Sequence, residues 1–132
     1  MSNKIQTSNA RIYDLEERTA RFGEEIIEFV RTLQRDEINR PLIGQVVRSA
    51  TSIGANYMEA DGACSKKDFQ YKIGLCKKEA KETRHWLRML ARANPNKDVD
   101  CRRLWQEAQE LTLIFSQIFL SMSKKNQMPD PK

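Results

Sequence analysis

The spacing most suggestive of chemistry in this sequence is Glu82-x-x-His85. Carboxylate-bridged di-iron bundles need this Glu-x-x-His pattern on each of two helices, with both copies facing the bundle interior. His85 is the only histidine in the chain, so one chain lacks the second copy. On a helical wheel His85 also projects toward a row of cations rather than toward the apolar positions. We therefore predict a surface histidine and no metal site.

Three cysteines could supply thiol chemistry, but their positions favour packing. Cys76 and Cys101 fall on apolar stripes, which predicts small core residues, whereas Cys64 falls in a predicted loop. No two cysteines are at zinc-ligand spacing, and the chain has no phosphate loop, dinucleotide fingerprint or serine elbow. The sequence thus predicts no catalytic residues: a protein that is not an enzyme and takes no cofactor or small-molecule substrate.

Positive charge is concentrated in one part of the chain. Residues 64–103 carry 12 basic and 5 acidic side chains, whereas the whole chain has a net charge of +5. At about 100° per residue, six of these cations share a narrow sector of one helix, and none has an acid three or four residues away. Lys78 and Glu82 do have this spacing, which predicts an ion pair within the helix, but they lie outside the sector. We call the sector the basic face; its residues are Lys66, Lys77, Lys81, Arg84, Arg88 and Arg92.

Unpaired cations over several helical turns suit phosphates, so RNA or DNA is the predicted partner of the basic face. The alternatives are a solvated face or a protein contact, either with an acidic partner protein or with a neighbouring subunit. The acids available to a neighbouring subunit include Glu16, Glu17, Glu24 and Glu28. Because no aromatic residues are interleaved with the cations, sequence-specific reading of a single strand is not predicted.

Arg18 and Glu79 need a structural explanation. Each lies about 60–70° from the centre of an apolar stripe on its own helix, so both are expected to be partly buried. A buried charge without a partner is costly. We predict a structural ion pair between Arg18 and Glu79, with Glu59 or Glu82 as the substitute acceptor.

Four segments with the apolar period of an α-helix must position these side chains. The first is predicted over about residues 11 to 34, and the second from Pro41, where a missing N–H costs nothing. A capping-box variant at Ser65 starts the third segment, and Asp98 or Asp100 can cap the fourth. The predicted core stripes are Leu15, Thr19, Phe22, Ile26, Phe29 and Leu33; Val46, Ala50, Ile53, Tyr57 and Ala60; Phe69, Ile73, Cys76, Ala80, Thr83, Leu87 and Leu90; and Cys101, Leu104, Ala108, Leu111, Phe115, Ile118 and Met122.

Short loops between long helices predict an all-α fold, an antiparallel up-down-up-down four-helix bundle with left-handed packing near ~20°. We expect a flexible N-terminus over residues 1–10, one domain over 11–123 and a disordered tail over 124–132. No apolar run approaches the ~20 residues that span a bilayer, so no membrane contact is predicted. An odd number of cysteines and a polar N-terminus predict reduced thiols and a cytoplasmic protein.

Apolar residues also lie outside the four stripes, and the later half of the fourth helix is apolar nearly all round. Such a helix is usually buried on more than one side, which favours self-association. The alternative is a wide core with scattered exposed apolar side chains. The residues concerned are Ile27, Val30, Leu42, Ile43, Val47, Met58, Trp86, Met89, Trp105, Leu113, Ile114, Phe119 and Leu120.

Three stretches carry a family resemblance: residues 15–19 with Phe22, residues 48–60, and Asp68-Phe69 followed by residues 78–87. The middle stretch is distinctive, because its Ser, Ala, Gly and Asn residues are unusual inside a helix. Over about residues 11 to 122 the chain resembles the bacterial four-helix bundle family of 23S ribosomal RNA intervening-sequence proteins. The resemblance implies a product encoded within an intervening sequence of a ribosomal RNA gene, without established enzymatic activity or agreed catalytic residues. Members are similar to the accessory protein of diversity-generating retroelements, a basic pentameric barrel that binds nucleic acid, so the resemblance also implies a homopentamer.

Overall fold

A computed structural model describes residues 8–127 of the chain, and the side chains of residues 14–123. Within that range the chain forms four α-helices, which are α1 (Ser8–Val30), α2 (Asn39–Asp61), α3 (Lys66–Ala93) and α4 (Asp98–Gln127). A short 3-10 helix, Pro95–Lys97, joins α3 to α4. The predicted all-α fold is confirmed. None of the helices in this range is long and apolar enough to cross a membrane.

Side-chain contacts show the relative direction of neighbouring helices. Between α2 and α3, Ser49 meets Thr83 and Glu59 meets Lys72, so residue numbers rise along one helix as they fall along the other. The other neighbouring helices show the same pattern, in the pairs Thr19–Gly54 and Gly23–Thr51, Gln70–Ser123 and Arg84–Gln109, and Arg18–Glu107 and Glu25–Arg103. The antiparallel up-down-up-down bundle is confirmed, while the left-handed sense of its packing stays a prediction.

The core consists of the predicted stripes. Every stripe residue of α2 is buried, as is every stripe residue predicted for the first segment. The other two stripes are buried except near their ends, where Phe69, Ile118 and Met122 are half-buried. Gly54 shows why small residues occur inside α2: a Cβ there would lie 3.3 Å from the hydroxyl oxygen of Thr19. The small residue therefore allows α1 to approach α2 closely.

A pair of buried asparagines, one at the first position of α2 and one directly after α3, lies at one end of the bundle. Asn39 and Asn94 are 2% and 9% exposed, and their amides exchange two hydrogen bonds of 3.0 and 2.9 Å. Each amide also donates to a backbone carbonyl, that of Gln34 for Asn39 and that of Leu90 for Asn94. This reciprocal pairing satisfies both buried amides and ties the α1–α2 connection to the α3–α4 connection.

Two helix ends differ from the prediction because charged side chains cap them. α1 ends at Val30 rather than near residue 34, and the Arg35 guanidinium donates to two carbonyls at that end, including that of Val30 at 3.0 Å. α2 begins at Asn39 rather than Pro41, because the Asp36 carboxylate accepts the backbone N–H of Asn39 at 2.7 Å. Pro41 still lies in the first turn, where its missing N–H is not needed.

The remaining helix ends extend or confirm the predicted bounds. The Ser65 hydroxyl accepts the backbone N–H of Asp68 at 3.0 Å, which confirms the predicted start of α3. α1 begins at Ser8 and α4 continues to Gln127, so residues 8–10 and 124–127 are helical. The flexible N-terminus and disordered tail that we predicted otherwise fall on residues 1–7 and 128–132, outside the described residues.

Candidate nucleic-acid interface

The basic face runs along α3, and its central part borders α4. Lys66, Lys81, Arg88 and Arg92 are exposed, while Lys77 and Arg84 are half-buried. Among the side chains that the structure describes, none of the six cations forms an ion pair. Unpaired cations at these positions leave a positive surface open to an anionic partner.

Arg84 is the member of the basic face that α4 holds in place. Its guanidinium donates a hydrogen bond to the side-chain oxygen of Gln109, and its Cζ lies 5.7 Å from the centroid of the Trp105 ring. That distance is within the range of a cation–π contact. Both partners belong to α4, so Arg84 is fixed at the seam between α3 and α4.

A second aromatic ring of α4 lies farther along this seam. Phe119 packs over Gly74, where a Cβ would lie 3.1 Å from the ring carbon Cε2. A groove beside the ring has a volume of about 360 Å³ and is lined by Gly74, Lys77, Lys78, Lys81 and Phe119. Two half-buried aromatic rings of α4 therefore border the cations of α3. Only one weak signal in the sequence pointed to these rings, namely that Trp105 and Phe119 are among the apolar residues outside the core stripes.

The spacing of Lys78 and Glu82 indicated an ion pair within α3, and this prediction was wrong. Arg48 of α2 instead donates to Glu82 and, at 3.3 Å, to Glu79. Hydrogen bonding to Glu82 raises the pKa of Arg48, while burial raises the pKa of Glu79 despite the neighbouring guanidinium. Lys78 is left without an ion pair among the described side chains and adds to the positive charge beside the basic face.

The predicted ion pair between Arg18 and Glu79 is also wrong. Arg18 donates two hydrogen bonds to Glu107 of α4, of 2.7 and 2.9 Å, and one of 2.7 Å to Glu110. The reason is topological, because α1 borders α2 and α4, whereas α3 lies diagonally across the bundle. Hydrogen bonding to Glu107 raises the pKa of Arg18. Both substitute acceptors also have other partners, which are Lys72 for Glu59 and Arg48 for Glu82.

The seam between α1 and α4 forms a groove of about 690 Å³. Unlike the basic face, this groove is lined by both acidic and basic side chains. Its lining includes five carboxylates and three arginines, which are Asp14, Glu17, Glu25, Glu107 and Glu110 with Arg18, Arg21 and Arg103. Of the acids named above as available to a neighbouring subunit, Glu17 pairs with Arg21 at 3.4 Å. Glu16, Glu24 and Glu28 are exposed and have no ion pair among the described side chains. Negative charge therefore lies on a different side of the bundle from the basic face.

The apolar residues outside the stripes divide into two groups. Most of them belong to a wide core, buried at Val30 and half-buried against it at Leu42, Ile43, Val47, Trp86, Trp105, Ile114 and Phe119. Met89 is half-buried. The other group is exposed, with exposed fractions of 37% for Ile27, 60% for Met58, 55% for Leu113 and 59% for Leu120. Ile27 and Met58 line a groove between α1 and α2. Leu113 and Leu120 are seven residues apart and so share one face of α4.

The histidine and the cysteines lie where the sequence predicts. His85 is exposed, and its ring meets that of Trp86 edge-on with centroids 4.9 Å apart. Cys64 is exposed, whereas Cys76 and Cys101 are buried, and all three thiols are free. Burial raises the pKa of Cys76 to about 12 and that of Cys101 to about 11. In the described part of the chain, no three His, Cys, Asp or Glu side chains come together as metal ligands.

Comparison with known proteins gives a family and a similar fold. The family described as 23S rRNA-intervening sequence protein matches residues 12–117. A solved structure from Bacteroides thetaiotaomicron VPI-5482, of a protein with unknown function from the S23 ribosomal protein family, has a TM-score of 0.69 and 29% sequence identity. The match covers 79% of this chain and 96% of that one. No curated protein matches the chain.

Proposed function

The chain belongs to the 23S rRNA-intervening sequence protein family, and from this premise we propose that it is a non-enzymatic homo-oligomer that binds nucleic acid through the basic face. It would be the product of a ribosomal RNA intervening sequence and act in the cytoplasm, where its three free thiols stay reduced. The observation that carries the proposal is the set of cations along α3 without ion pairs among the described side chains.

The phosphate backbone of a nucleic acid matches the basic face in charge and in length. Each phosphate that a lysine or arginine neutralises releases condensed counterions, so affinity falls steeply as salt rises. Six cations spread from Lys66 to Arg92 extend over most of α3. If about four of them contact phosphates at once, log Kd should change with log salt with a slope of about 3 for a single strand.

Self-association is supported by the exposed apolar residues. Ile27 of α1 and Met58 of α2 line one groove, whereas Leu113 and Leu120 lie on α4, so the two apolar surfaces differ in position. Contact between two different surfaces is heterologous, and such contacts close into rings when the rotation between subunits permits it. A pentameric ring is our first choice because of the family resemblance, and light scattering on nuclease-treated protein would determine the subunit number.

A binding assay with a matched charge control tests the proposal. We would measure the affinity for a structured ribosomal RNA fragment across a salt series, for the wild-type protein and a Lys81→Glu/Arg88→Glu variant. Both residues are exposed and have no ion pair among the described side chains, so reversal should spare the fold. The control variant is Arg31→Glu/Arg40→Glu, which changes the net charge equally at two exposed positions outside α3.

The expected result is weaker binding by the α3 variant, with a salt slope that is smaller by at least about 1.4. The control should keep most of the wild-type affinity. Equal losses in the two variants would mean that only net charge matters, which would contradict a binding face on α3. A partner that stays bound after nuclease treatment, with no salt-sensitive RNA binding, would favour the alternative function, a scaffold that docks an acidic protein.

A further inference from the structure

The seam between α3 and α4 has a feature that a purely electrostatic surface does not need, namely aromatic rings among its cations. We infer that this seam binds an unpaired polynucleotide strand, with one base stacked on Phe119 and nearby phosphates on Lys77, Lys78 and Lys81. The inference rests on the proposed function and specifies its ligand as single-stranded rather than duplex nucleic acid.

The groove at Phe119 has the shape and the charges for this contact. The ring lies against Gly74, whose missing side chain leaves room for it, since a Cβ would approach to 3.1 Å. The groove volume of about 360 Å³ falls within the range of small-ligand pockets. The three lysines that line it have no ion pairs among the described side chains, so their charges are available to phosphates.

Unpaired bases are the ligand class that uses such a ring. Every base has a π-face, so stacking on an aromatic side chain tolerates any sequence. In a duplex the faces of the bases are already stacked on one another, and a side chain on a helix surface reaches only groove edges and phosphates. A ring among lysines therefore adds affinity for single strands, loops and bulges and adds nothing for a continuous duplex.

Trp105 gives the strand a second contact, and the line from Trp105 to Phe119 defines the path of the strand along the seam. It precedes Phe119 by 14 residues on α4, which corresponds to about 21 Å of helix. The Arg84 guanidinium lies 5.7 Å from its ring centroid, and Arg88 lines the groove beside it. A stacked strand with one phosphate every ~3.4 Å would place about six phosphates between the two rings. The cations between the rings belong to the basic face, so one strand can contact both rings and the cations together.

Fluorescence anisotropy with four labelled probes tests the inference. The probes are a 12-nucleotide single-stranded RNA, the DNA of the same sequence, the matching RNA duplex, and an abasic strand of the same length. The wild-type protein should bind the single-stranded RNA at least fivefold more tightly than the abasic strand. The RNA and DNA arms distinguish the two sources of a single strand, and similar affinities would show that the 2′-hydroxyl is not read.

A Phe119→Leu variant removes the π-face and keeps most of the apolar volume, and its fold can be checked by circular dichroism. Without stacking on one base, the variant should bind base-bearing strands about 5- to 100-fold more weakly than the wild-type protein does. Its affinity for the abasic strand should be unchanged. The control is Tyr71→Leu, because Tyr71 is an aromatic residue of α3 that is 62% exposed and absent from the lining of the Phe119 groove. This control should leave all four affinities unchanged.

The outcomes separate the two proposals. Equal binding of base-bearing and abasic strands, or tighter binding of the duplex, would overturn the stacking inference. If the Lys81→Glu/Arg88→Glu variant still loses binding in that case, the proposed function stands without it. If no probe binds in a salt-dependent way, the proposed function fails, and the stacking inference fails with it.

Discussion

The Asn39–Asn94 pair allows a prediction whose magnitude can be worked out from hydrogen bonds. Asn39→Ala removes the two reciprocal bonds and the bond to the Gln34 carbonyl. Asn94→Ala removes the same two bonds and the bond to the Leu90 carbonyl. At about 1 kcal/mol per bond, each single variant should lower the free energy of unfolding by about 3 kcal/mol.

The double variant makes the prediction specific. It loses four hydrogen bonds, whereas the two single variants together lose six, because the reciprocal bonds are removed in both. The double variant should therefore be about 2 kcal/mol more stable than the sum of the single effects indicates. Denaturant unfolding of all four proteins, at one protein concentration so that self-association contributes equally, measures this coupling.

Additivity within about 0.5 kcal/mol would refute the reasoning, because it would mean that the two amides do not stabilise each other. A useful control is Ser121→Ala, which changes an exposed polar residue far along the chain from both asparagines. That variant should change the free energy of unfolding by no more than about 0.5 kcal/mol.

Three further predictions concern thiols, pH and glycines. Ellman's reagent at neutral pH should label only Cys64 in the native protein and all three thiols after unfolding, because burial keeps the other two protonated; rapid reaction of a second thiol would contradict this. Burial raises the folded-state pKa of Glu79, which means that the folded protein favours the protonated carboxyl. The stability that this proton contributes is lost as pH rises through the folded-state pKa. The gain in unfolding free energy from Glu79→Gln should therefore grow as the pH rises above the ordinary pKa of a glutamate, as measured by denaturant unfolding. Gly44→Ala, in open space, should stabilise α2 by about 1 kcal/mol, whereas Gly54→Ala should gain less because its Cβ meets the Thr19 hydroxyl.

The core was predictable from sequence because burial in a helix follows a period that the sequence displays. Phe22 and Ile53, for example, fall on stripes whose spacing requires one face to be covered, and both are fully buried. The ends of helices were less predictable, since they depend on side chains beyond the periodic segment. Arg35 and Asp36 cap two different helices from adjacent positions, and neither belongs to an apolar stripe.

The spacing of residues along the sequence could not predict which side chains of different helices contact each other. A helical wheel gives the angle of Arg18 on α1, but the choice of acceptor depends on which helix lies next to that flank. Glu82 likewise pairs with Arg48 rather than with Lys78, because the Arg48 side chain extends from α2 across to α3. The rings at the basic face escaped prediction for the same reason, since Trp105 belongs to a different helix from Arg84.

The α1–α4 seam is where the bundle is packed least closely. The backbones of α1 and α4 lie farther apart than those of the other neighbouring α-helices, and side chains such as Arg18 and Arg103 bridge the gap. Local opening should follow this boundary, with α1 detaching while α2, α3 and α4 stay packed as one cooperative unit. In native-state hydrogen exchange, the amides of α1 should therefore lose protection at lower free energy than those of α3.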